Sequence, residues 1–130
     1  LLLGQLQTPE KFAFLRLAHF LAKTDGTYGE KEKELIDEYC FEMGIDNIEF
    51  NNDKLENILK EFKSKKSKKI ALMELMILAH IDDTFNLYEY KTTQSIAEAF
   101  EIEQQSLLYF STWGKAVAAL RSQALYASLN

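Results

Sequence analysis

Phe14–Gly26 reads FLRLAHFLAKTDG and Ala71–Asp83 reads ALMELMILAHIDD. Placing Asp25 on Asp82 aligns the two stretches at one offset, 57 positions. The same offset pairs Leu15 with Leu72, Leu21 with Leu78, Ala22 with Ala79 and Thr27 with Thr84. It continues without a gap through Tyr28 and Phe85, Glu32 and Glu89, Tyr39 and Ile96, Met43 and Phe100, and Ile45 and Ile102. Self-similarity at a fixed offset means that one supersecondary unit is built twice. Each copy reads as an apolar helix, an acidic turn with an aromatic residue three positions on, and a second helix opened by a glutamate.

Around these copies the chain reads as helix throughout. Thr8-Pro9-Glu10 is a helix start, with a capping residue, Pro at the first helical position and an acid in the first turn. The helix from Pro9 to about Thr24 is apolar almost all round, which belongs in the middle of a bundle. Asp25-Gly26 stops it, and a second helix spans about Glu30 to Met43, with Gly44 as its end. A shorter amphipathic helix follows at about Lys54 to Lys63 on the spacing of Leu55, Ile58, Leu59 and Phe62. The second copy supplies helices at about Ser67 to Ile81 and Leu87 to Phe100. Apolar residues at 110, 113, 117, 120 and 124 then predict one long helix over 103–128, with Gly114 as a place to bend and Trp113 in the core.

The expected fold is therefore all-α: a single domain over 1–130 and a bundle of about six helices. It contains an internal pseudo-twofold repeat, with helix-turn-helix units at about 9–46 and 67–103 and repeats at 14–46 and 71–103. The two apolar helices form the central pair, closest at Ala22 and Ala79, with the C-terminal helix across both. Phe20, Leu21, Ala22, Ile77, Leu78 and Ala79 are expected to be buried.

The 130 residues, 47% hydrophobic and 27% charged, fit one core that needs no disulfide or structural metal. The formal net charge of −5 argues against nucleic acid as a partner, which needs clustered positive charge. The single cysteine, Cys40, sits on an apolar stripe and reads as packing. The opening LLLGQLQ is too short for a signal peptide and lacks a cationic flank. No run approaches the ~18 apolar residues that span a bilayer. The expected location is cytoplasmic, with any membrane contact peripheral or made through a segment upstream of Leu1.

At DGTYGEKE, residues 25–32, the arrangement resembles the TerB-type tellurite-resistance domain: an apolar helix, Asp-Gly, an aromatic and a helix-opening Glu, repeated once. The resemblance covers roughly Phe12 to Ile102, and Asp83 stands where the first copy has Gly26. It implies an all-α domain with an internal pseudo-twofold axis and a non-enzymatic interaction or scaffold role in a bacterial stress-response system. A protein partner is implied and no cofactor.

The acids of the turns admit a second reading. D-G-x-aromatic-x-x-x-E copies the second half of an EF-hand loop, but the first ligand positions fall on Leu21, Lys23, Leu78 and His80, which do not ligate calcium. Asp25, Glu32, Asp82, Asp83 and Glu89 could still hold a divalent cation in another geometry, which would suit a metal sensor or a metal-dependent hydrolase. Capping competes with this. With Gly29 and Asn86 as caps, Glu32 and Glu89 fall three residues in, where a carboxylate returns to the cap amide. The pattern favours capping.

The run KSKKSKK places Lys63, Lys65, Lys66, Lys68 and Lys69 together, a candidate surface for anionic lipid or an acidic partner. His19 and His80 fall at different places in the two copies, and neither has neighbours at zinc-ligand spacing. No phosphate loop and no nucleophile motif is present, so no catalytic residue is assigned.

Overall fold

The computed structural model describes residues 1–24, 28–82 and 85–129. After a 3-10 turn at Leu3–Gln5 come six α-helices: α1 Thr8–Ala22, α2 Glu30–Met43, α3 Leu55–Leu59, α4 Lys65–Ala79, α5 Leu87–Ala99 and α6 Gln104–Leu129. No strand occurs among the described residues. The expected all-α bundle is what is found.

The repeat is written into the helix boundaries. Thr8–Ala22 and Lys65–Ala79 are separated by 57 positions at both ends, and so are their N-caps, Gln7 and Ser64. The second helices carry the offset at their C-termini. Gly44 N–H donates to Phe41 O at 3.2 Å and Ile45 N–H to Cys40 O at 2.9 Å; Glu101 N–H donates to Glu98 O at 3.1 Å and Ile102 N–H to Ala97 O at 2.8 Å. These are the same Schellman-type closures twice, which require a left-handed residue just past the helix. Gly44 takes it at φ 70°, whereas the second copy uses Glu101 at φ 57°, a backbone that costs a side chain about 1–2 kcal/mol.

The core lies where α1 and α4 meet the others. Phe14, Leu15, Leu17 and Leu21 of α1 and Leu72, Leu75, Met76 and Leu78 of α4 are buried. Tyr39 of α2 packs edge-on to Phe14 with ring centroids 5.0 Å apart, and its hydroxyl donates to the Glu74 carbonyl at 2.9 Å. Burial, reinforced by Glu74, holds the Tyr39 phenol well above its ordinary pKa. The Glu74 carboxylate faces the other way, its Oε1 accepting the Leu2 N–H at 2.6 Å, which ties the opening turn to α4.

Four expectations are corrected. The C-terminal helix does not lie across both central helices: α6 packs on α4 and α5 and reaches α2 through an Arg121 Nε–Glu38 Oε2 contact of 2.8 Å. Gly114 is a crossing point within one continuous helix, since a Cβ there would lie 2.6 Å from the Met76 backbone carbon. At that crossing α4 and α6 approach closely, at Met76 and Gly114, while Ala22 and Ala79 are buried as expected. Phe20, Cys40 and Trp113 pack against the core but stay half-buried. Finally, α3 has only five residues, because Ser64 caps α4 and the chain must turn at Lys60–Lys63 to bring it there.

One buried acid joins the copies. Glu10 in the first turn of α1 accepts the Gln7 N–H at 3.0 Å through Oε1 and the Lys63 N–H at 3.0 Å through Oε2. Burial raises its pKa, but the hydrogen bonds from the Ser67 hydroxyl and these two amides win, holding the carboxyl below the ordinary range. Glu10 and Ser67 are equivalent positions at the 57 offset. The two copies therefore meet at the starts of α1 and α4, through one position of the repeat.

Candidate functional site

The acids of the turns are placed by helix starts. Glu89 is buried and completes a capping box on α5: its N–H donates to Asn86 Oδ1 at 2.9 Å, and Asn86 N–H reaches Glu89 Oε1 at 3.5 Å. In the first copy Glu32 folds back against Gly29, with Oε2 2.6 Å from where a Gly29 Cβ would stand, but Gly29 has no side chain to accept the amide at the third helical position. Asp82 is half-buried. Asp25 and Asp83 lie outside the described residues. Among the described residues, no three His, Cys, Asp or Glu side chains gather as a group able to hold a metal ion.

The lysines fall at the other end of the molecule. Lys63, Lys65, Lys66 and Lys69 are exposed and Lys68 is half-buried. Lys63 Nζ donates to the Lys60 carbonyl at 2.8 Å, and the remaining four occupy the first turns of α4. A helix N-terminus already carries about half a positive charge, so four ammonium groups there repel both it and one another. Beside them, Lys65, Lys68 and Lys69 share a cleft of about 440 Å³ with Glu101 and Glu103.

The histidines prove equivalent in role despite their different registers. His19 meets the Tyr28 ring edge-on at 5.1 Å, and His80 meets Phe85, the residue equivalent to Tyr28, edge-on at 4.7 Å. Each copy thus sets an imidazole against the same aromatic position, from places one turn apart. His19 also stacks on Phe50 at 4.1 Å with the rings 2° from parallel, and His80 Nε2 lies 2.9 Å from Ser111 Oγ, which pins α6. Burial, and then Lys23 and Lys115 respectively, hold both imidazoles below their ordinary pKa.

A further feature carries no sequence motif. On α1, Arg16, His19, Phe20 and Lys23 wall a cleft of about 370 Å³ whose far side is Asn52 of the connector before α3 and Ile58 of α3. Arg16 Nε stands 3.6 Å from Asp53 Oδ2, a loose, solvent-screened pair. Residues 16, 20 and 23 fall three and four apart, so one helix face presents two cations around a half-buried aromatic. The same spacing in a run apolar nearly all round concealed this face, because it lies among the residues that predict burial.

Comparison with protein-family models, with curated proteins and with solved structures gives no match. No helix of the described residues is long and apolar enough to cross a membrane.

Proposed function

We propose that the chain is a non-enzymatic helical interaction module, acting in a cytoplasmic stress-response assembly of the kind its TerB-like repeat resembles. The observation that carries this is the far half of α6. The stripe that buries Leu107, Gly114 and Ala118 continues through Arg121 to Leu125 and Leu129, with every residue from 122 to 129 exposed. Leu120, Leu125, Tyr126 and Leu129 face solvent there, and Phe41 of α2, 90% exposed, lies one turn beyond the Glu38 that holds Arg121.

The projecting far half adds to an extended surface. A compact chain of 15.0 kDa exposes roughly 7,000 Å², whereas this one exposes 7937 Å². A photo-crosslinker at Leu125, in the intact protein in its own cells, tests the reading. Crosslinks to a protein, lost on Leu129→Glu/Tyr126→Ser, are expected. Crosslinks to nothing, or to lipid alone, would overturn it.

The lysines support a second reading, contact with an anionic surface. Four like charges on the positive end of α4, none in an ion pair among the described residues, are an electrostatic cost that an anionic partner would relieve. Binding to vesicles containing phosphatidylserine should fall as salt rises and vanish on Lys65→Glu/Lys69→Glu.

A further inference from the structure

In the second copy, Met76 of α4 is met by Gly114 of α6, His80 by Ser111, and Ile77 by the same helix near Val117. Stepping back by the repeat offset, these seats on α1 are His19, Lys23 and Phe20, with Arg16 in place of Met73. All four line the 370 Å³ cleft, opposite the connector with Asp53, Ile58 of α3 and Thr92 of α5. The cleft is therefore the first copy's version of the seat that α6 fills in the second.

The first copy fills that seat only in part. Phe50, the equivalent of Leu107, stacks on His19, and α3 supplies Ile58, but α3 ends after five residues where α6 runs for 26. Ile77 is 3% exposed under α6, while its mate Phe20 is half-buried. The side chains have changed with the cover. Arg16 and Lys23 replace Met73 and His80, so the open seat has gained two cations against the one carboxylate of Asp53, in a chain of net charge −5.

We propose that this groove on α1 docks an acidic amphipathic helix from a partner protein, lying as α6 lies on α4. Arg16 and Lys23 are seven residues apart, two helical turns on one face or roughly 10.5 Å. The matching helix carries two carboxylates at the same spacing, with an aliphatic side chain between them that sits on Phe20 and Ile58. The loose Arg16–Asp53 pair leaves the guanidinium available, since a contact of 3.6 Å at a half-exposed site is readily exchanged. The apolar far half of α6 is not this occupant, for residues 119–129 contain no acid.

The test uses the intact chain and a fluorescein-labelled amphipathic peptide with glutamates seven positions apart and leucines between them, read by anisotropy. Saturable binding is expected, weakening as salt rises and falling at least about tenfold in Arg16→Glu/Lys23→Glu. A peptide with lysines in place of the glutamates should recover binding to that double variant and not to wild type. Both substituted side chains are partly exposed, and an unchanged melting curve confirms that the variant folds. Absence of saturable binding, or equal binding to the double variant, overturns the proposal. Displacement of the peptide by inorganic phosphate at comparable affinity would make the cleft a small-anion site and overturn it too. So would self-association of the chain that Arg16→Glu/Lys23→Glu abolishes, which would give the groove to a second copy.

Discussion

The central helices of the two copies begin and end at equivalent residues, yet they carry different burdens. On α4 the outward face is Met73, Met76, Ile77 and His80 beneath a 26-residue helix; on α1 it is Arg16, His19, Phe20 and Lys23 beneath a connector and one and a half turns of α3. Length of cover and polarity of the covered face have moved together. A repeated scaffold can thus keep one copy for stability and release the other for recognition, because the inner faces of both helices still close a single core.

The largest test of that division pairs two truncations. Ile77→Ala should cost about 2–4 kcal/mol in urea unfolding, as expected for a fully buried aliphatic, whereas Phe20→Ala should cost about 1–2 although more atoms are removed. Equal losses would mean that the first-copy face is covered after all. Next comes Gly114→Ala. Helix propensity alone would stabilise the protein by about 1 kcal/mol, but the clash with the Met76 backbone should reverse the sign and cost about 1–3. A stabilised variant would show that α6 does not cross α4 there.

The paired helix ends give a smaller and opposite-signed contrast. Gly44→Ala should destabilise by about 1 kcal/mol, while Glu101→Gly, relieving the same left-handed backbone, should stabilise by about 0.5–1. Near the same size is Glu89. Its loss to Ala should cost about 0.5–2 kcal/mol as a cap, with Gln tolerated and no melting shift on adding millimolar calcium or magnesium. An ion-dependent shift in wild type that disappears in Glu89→Gln would restore the metal reading.

The smallest effect is a pH slope. His19 and His80 sit below the ordinary value of 6.5, so their contribution to stability is present above that pH and is lost as pH falls through the depressed folded values. Melting temperature should decline on acidification below about pH 6.5, and His19→Gln/His80→Gln should flatten the slope.

How far the fold was legible follows from which signals are local. The 57-residue offset, the reading of α2 as about Glu30 to Met43, and the helix ends at Gly44 and Phe100 rest on periodicity and capping, and each falls within a residue of the observed element. The pattern starts α4 at about Ser67, two residues after its observed start, since Ser64 caps through Ser67 rather than through a glutamate. The cap of α1 is Gln7, an unusual residue for the place, completed by Glu10. Phe20 was expected to be buried because an all-round apolar helix carries no mark of which side its neighbours leave bare. That depends on α3 stopping early, a matter of chain routing. The cleft on α1 was hidden for the same reason, and the burial of Glu10 and Glu74 depends on segments far away in sequence.

The contact between Glu10 and Ser67 sets a limit on how alike the two halves can be. A chain assembled from two identical first copies would bring a pair of carboxylates together where α1 and α4 begin, both shielded from water, and one would have to take up a proton or force the helices apart. With serine on one side, the clash becomes a hydrogen bond, and the remaining carboxylate oxygen is left to receive the Lys63 amide of the segment that joins the halves. Serine at this position thus spares the junction a second buried carboxylate.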